Sequence, residues 1–143
     1  MIDGVILTPL KIINVSEGDV LHAIKESDNG FSGFGEAYFS LIKPKSVKAW
    51  KRHHEMTLNL VVPVGEIRFV MLDDRSDNKI FQEVTLSKRN YYRLTVPPMV
   101  WMGFQGVGDE PALLMNVANI PHDPNETDGK ALNEIKFDWS SRQ

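Results

Sequence analysis

LNLVVPVGEIRFVML, residues 58–72, is the stretch on which the fold is decided. Leu58, Leu60, Val62 and Val64 fall at every second position, Val64-Gly65-Glu66 reads as a turn, and Ile67, Phe69 and Met71 resume the alternation. A period of two sends successive side chains to opposite faces of a sheet, so the stretch is predicted to be a β-hairpin with one apolar face. The same alternation recurs in Ala37 to Ile42, Val47 to His53, Ile80 to Leu86, Tyr91 to Val96 and Leu113 to Ile120, each bounded by Pro, Gly, Asn or Asp. Gly4 to Ile13 reads as an edge strand and Asp19 to Lys25 as another. Ser27 to Gly35, with its Asp-Asn-Gly, reads as a loop. Pro121 to Asp128 is a polar segment with two prolines, and Lys130 to Trp139 a partly apolar tail. Helical periodicity is nearly absent. Short strands at roughly even spacing predict an all-β sandwich or barrel of antiparallel strands around a central cavity.

The chain has 143 residues, enough for one substantial core, and residues 1–143 are expected to form a single domain. The net charge is −3, and the lysines and arginines are scattered rather than gathered in a stripe, which argues against a nucleic-acid partner. There is no cysteine, so disulfides and thiolate metal sites are excluded and a reducing compartment is compatible. The first residues lack a basic segment followed by a long apolar stretch, and no apolar run approaches membrane-spanning length. The expectation is a cytoplasmic protein without a membrane partner.

Three segments carry a resemblance. One is Phe34-Gly-Glu-Ala-Tyr-Phe-Ser40 with Val47-Lys-Ala-Trp-Lys-Arg-His53 and the run to Asp73-Asp-Arg75. A second is Val96-Pro-Pro-Met-Val-Trp-Met-Gly-Phe104, and a third runs from Asn116 through Glu126 to Phe137-Asp-Trp139. Together, and in order over nearly the whole chain, they resemble the dTDP-4-dehydrorhamnose 3,5-epimerase family of the cupin superfamily. Trp50-Lys-Arg-His53 and Pro121-His-Asp-Pro124 look closer to a shorter subgroup of it. The resemblance implies a double-stranded β-helix, a cupin-like jelly-roll barrel, that is a homodimer and admits a nucleotide sugar. The implied chemistry is proton abstraction beside a ketone and reprotonation from the opposite face, in polysaccharide precursor biosynthesis.

That chemistry needs a base, a cation to hold the enolate, and an acid across the ring. His53 is the closest match to the family's base. The family's lysine falls near Leu58 and its tyrosine near Met115, neither of which can replace it. Lys51, two residues from His53 and therefore on the same strand face, is the candidate cation, and Tyr38 or His122 the candidate acid. Trp50 and Trp101 are candidates for stacking on a base or sugar, or else core filler. Asn116 and Asp123 are candidates for polar contacts to substrate, the alternatives being a structural bond and a turn. His54 is predicted to face away. A metal-binding cupin wants two histidines one residue apart, a glutamate and a distant histidine. Lys51, Leu58 and Met102 stand where those ligands are wanted, so neither a metal nor another cofactor is expected. The rival reading is a non-catalytic cupin that binds a nucleotide sugar or glycan.

Overall fold

The computed structural model describes residues 1–140. Residues 58–72 form two strands as predicted, β6 (Leu58–Val64) and β7 (Glu66–Asp73), but they are not a hairpin. They belong to different sheets, and the chain turns a corner between them at Gly65. Gly65 sits at φ 78, and a Cβ there would lie 2.7 Å from the Cα of Ala112, so the corner requires glycine. Alternation fixes which side chains face inward but not which strand is the neighbour. A hairpin and a corner therefore share one pattern.

One five-stranded sheet runs β1 (Ile6–Pro9), β9 (Tyr92–Val96), β6, β11 (Ala112–Ala118) and β4 (Glu36–Ile42). The other runs β12 (Thr127–Gly129), β5 (Val47–His53), β10 (Trp101–Val107), β7 and β8 (Ile80–Leu86). All pairings within both sheets are antiparallel. The two sheets face each other as the jelly-roll barrel, and Leu60, Val62, Ile67, Phe69 and Met71 are buried between them. The expected edge strand Gly4 to Ile13 is broken into β1 and β2 (Ile12–Ile13). Of Asp19 to Lys25 only β3 (Val20–Leu21) is strand, and it pairs with β2 in a small ribbon. β10 was hidden by its glycines. At Gly103 a Cβ would lie 2.5 Å from the Cβ of Ala49, so the central strand packs only without a side chain there.

Part of each outer sheet face is covered, in both cases through a fully buried arginine. Arg93 on β9 donates to Asn59 Oδ1 (3.1 Å), Ala23 O (2.9 Å), Asn29 O (3.1 Å) and Asp28 Oδ2 (3.1 Å), which pins residues 22–30 to the first sheet. Arg68 on β7 bonds Glu83 and the carbonyl of Trp139, and its guanidinium lies over the Phe137 ring. The apolar part of the predicted tail, Ile135, Phe137 and Trp139, packs there against Trp50, Val70, Leu72 and Trp101. The strands so covered are buried on both faces and held rigidly, which is what a site needs from its walls. Among the described residues no helix is long and apolar enough to cross a membrane.

Replacing Arg93 by Met strands the Asp28 carboxylate and the loop carbonyls. Arg93→Met is expected to lower the unfolding free energy by about 3 kcal/mol or more, read by denaturant titration, and to speed amide exchange across residues 22–30. A loss under about 1 kcal/mol would show that the loop is held by other means.

Candidate active site

One end of the barrel is packed solid by side chains such as Ile42, Val62, Ile67 and Leu86. The other end opens as a cavity of about 420 Å³ whose apolar lining includes Met56, Leu58, Leu60, Met102, Phe104 and Leu114. Its polar groups divide by sheet. From the first sheet come Glu36, Tyr38 and Ser40 on β4 and Asn116 on β11. From the second, opposite, come Lys48, Lys51 and His53 on β5. His122 lies at the rim.

His53 closes β5 and hydrogen-bonds through Nδ1 to Glu126 Oε1. Glu126 is only 6% exposed, and its second oxygen accepts the backbone N–H groups of Glu55 and Met56, both at 3.1 Å. Burial pushes this carboxyl up. The His53 hydrogen bond, the two backbone donors and the charge of His53 outweigh that and hold it below the usual glutamate range. An ionised carboxylate on Nδ1 keeps the imidazole hydrogen there, which leaves Nε2 as the nitrogen that can take a proton. Burial of the pair within the barrel end fixes the ring.

The position of the lysines comes from an irregularity in β5. Met102 pairs with Lys51, but Phe104 pairs with Lys48, so β5 spends three residues where β10 spends two. The strict alternation predicted for Val47, Ala49, Lys51 and His53 therefore holds for the last three and fails at Val47. Lys48 joins Lys51 and His53 in the cavity lining, and Val47 drops out of it. On the opposite wall Tyr38 and Asn116 are direct cross-strand partners, and Asn116 Nδ2 donates to the Tyr38 hydroxyl at 2.9 Å.

Of the residues singled out in the sequence, His53, Lys51, Tyr38, His122 and Asn116 are gathered on this one cavity. Trp101 is not. Its ring is buried in the outer cluster, with Nε1 3.3 Å from Asp74 Oδ2 and the Arg52 guanidinium over its face, so it offers no surface to a ligand in the barrel. Trp50 borders the cavity, but its ring is taken up by Trp139 (centroids 5.4 Å apart) and Phe137, and its Nε1 donates to Leu132 O. Asp123 caps the turn Pro124–Glu126 by accepting from Asn125 N, and is neither paired with His122 nor part of the lining. His54 faces away and binds Asp128. Leu58 lies in the apolar lining, whereas Met115 is outside it. Two residues of the site were missed, Lys48 and Glu126. The first depends on the register between β5 and β10, which the sequence does not record. The second lies 73 residues from its partner with no sequence signal. Among the described residues no group of three or more His, Asp or Glu side chains is placed to hold a metal ion.

Because the Glu126 carboxyl is held below the ordinary value of about 4.3, the stability it adds is complete above that value. It is lost as pH falls through its lower folded value. Glu126→Gln is expected to flatten the acid limb of stability against pH, followed by unfolding midpoints from about pH 6 to about pH 2. Equal slopes in the two proteins would remove Glu126 as the carboxylate that matters.

No family model matches the chain. A dTDP sugar isomerase from Desulfovibrio desulfuricans is 40% identical to it and superposes with a TM-score of 0.93, over 99% of this chain and 94% of that one. A probable low-salt glycan biosynthesis epimerase from Haloferax volcanii is 32% identical over 100 residues, which are 67% of this chain and 64% of that protein. A spore coat polysaccharide biosynthesis protein from Bacillus subtilis is 25% identical over 99% of this chain and 98% of its own length. With the jelly-roll barrel and the cavity in place, the match to the Desulfovibrio protein over almost the full length of both shows that the chain belongs to the dTDP-sugar isomerase family.

Proposed function

We propose that the protein is a nucleotide-sugar epimerase or isomerase that acts on a 4-keto-6-deoxy hexose in polysaccharide precursor biosynthesis. The observation that carries this reading is the His53–Glu126 pair on one wall of the cavity with the Tyr38 hydroxyl on the other. Nε2 of His53 takes the proton from the carbon beside the ketone. The negative charge that develops on the ketone oxygen is met by an ammonium group, Lys51 or its neighbour Lys48. Tyr38 returns a proton from the opposite side, which inverts the carbon. His53 ends protonated and Tyr38 deprotonated, and both are reset through water at the cavity mouth. His122 at the rim is the other candidate for the acid. A lysine not used on the enolate is free to meet the diphosphate of the nucleotide. The apolar floor suits the 6-deoxy methyl group.

We also infer a homodimer. β4 is an edge strand, and its outward side carries Phe39 and Leu41, 65% and 69% exposed. Paired apolar side chains on an open edge mark a surface that a second copy covers. Phe39→Glu with Leu41→Glu is expected to give a monomer by light scattering. An unchanged mass would place the contact elsewhere.

Incubated with dTDP-4-keto-6-deoxyglucose in deuterated water, the protein is expected to incorporate deuterium beside the ketone. His53→Ala should slow this by about 100-fold or more, and Lys51→Met by a similar factor if it holds the enolate. Tight binding without exchange would favour the alternative of a non-catalytic nucleotide-sugar binder.

A further inference from the structure

Asn116 is buried, 4% exposed, on the wall opposite His53. Its Nδ2 donates to the Tyr38 hydroxyl at 2.9 Å, and its Oδ1 has no hydrogen-bond partner among the described residues. An orphaned amide oxygen in a barrel interior carries its full desolvation cost, so for stability alone an aliphatic side chain of the same size would serve as well. What the amide supplies that leucine cannot is the N–H on the tyrosine oxygen. Because that oxygen accepts from Asn116, its own hydrogen turns away from the amide. Tyr38 and Asn116 are direct partners in the β4 and β11 register, so the backbone ladder fixes the distance between them.

The geometry points to Asn116 as a positioning residue that aims the Tyr38 proton at the substrate carbon and holds the oxygen once the proton has left. This rests on the reaction proposed above. In that step the O–H bond of Tyr38 breaks as a C–H bond forms on the enolate carbon. The electron pair left on the phenolate oxygen is met by the Asn116 N–H, a hydrogen bond that strengthens as charge develops on its acceptor. Asn116 transfers no proton itself and acts through Tyr38.

The test uses the fact that base and acid sit on opposite walls. In deuterated water His53 alone can remove a proton and return deuterium to the same face, which is exchange with retention. Inversion needs Tyr38 as well. With dTDP-4-keto-6-deoxyglucose, Tyr38→Phe and Asn116→Leu should both lower inversion at least about 10-fold more than they lower exchange, as read by NMR of the product mixture. Asn116→Asp, the same shape with no N–H to give, should do likewise. Asn116→Leu should melt no lower than the parent, since it removes the orphaned oxygen. Inversion and exchange falling in parallel in both Asn116 variants would overturn the positioning role while leaving the reaction intact. A parent protein that shows neither exchange nor inversion would overturn the reaction itself and this inference with it.

Discussion

The carboxylate of Glu126 ties together parts of the chain that are far apart in sequence. One oxygen holds His53 at the end of β5, and the other caps the backbone of Glu55 and Met56 where the chain leaves that strand for β6. Its own backbone oxygen accepts from His54 N at 2.8 Å, and the next residues form β12 along the edge of β5. A buried charge is tolerable only when its lone pairs are met, and here they are met by a histidine and two backbone donors. The mouth of the cavity, the crossing between sheets and the start of the C-terminal tail therefore share one anchor. Two residues further on, Asp128 bonds Arg52 at 2.6 Å and His54 at 3.0 Å, which fixes the same strap from the outside.

The inward set of side chains was largely legible in the sequence. Leu58, Leu60, Ile67, Phe69 and Met71 follow from a period of two, which also puts Glu36, Tyr38 and Ser40 on one side of β4 without saying which side. The partner of each strand was not legible. β6 and β7 are joined by a turn and belong to different sheets, a difference that no local pattern records. The irregularity in β5 was equally silent, because an extra residue is defined by the strand opposite it, β10, which its glycines concealed. Lys48 was lost for that reason. Glu126 was lost because the hydrogen bond that gives it meaning closes only when the tail folds back.

The tryptophans mark the limit of reading residue type as function. Trp50 and Trp101 look like stacking platforms, but the second sheet has an outer face as well as an inner one, and a large aromatic ring can fill either. Arg52 and Lys130 both lie over the Trp101 ring, and Trp139 and Phe137 close over Trp50. These contacts bury the back of the wall that carries Lys48, Lys51 and His53. Their service to the site is rigidity, since a strand packed on both sides holds its inward side chains in one place.

The division of the cavity between two sheets bears on how a barrel can lack the residues the resemblance implies and still carry the groups the proposed reaction needs. The resemblance put a lysine near Leu58 and a tyrosine near Met115, and in this chain those positions hold an apolar lining residue and a side chain outside the lining. The corresponding functional groups reach the cavity from elsewhere, ammonium groups from Lys48 and Lys51 on β5 in the facing sheet and a hydroxyl from Tyr38 on β4, the strand paired with β11. Proton transfer to and from a carbon acid depends on where the reacting atoms stand, not on which strand delivers them. Antiparallel neighbours lie close enough that a long side chain can cover the place its partner would have filled. In the proposed reaction the constraint that survives is positional, a base on one sheet and an acid on the facing one, and any pair of residues that meets it preserves inversion at the carbon between them.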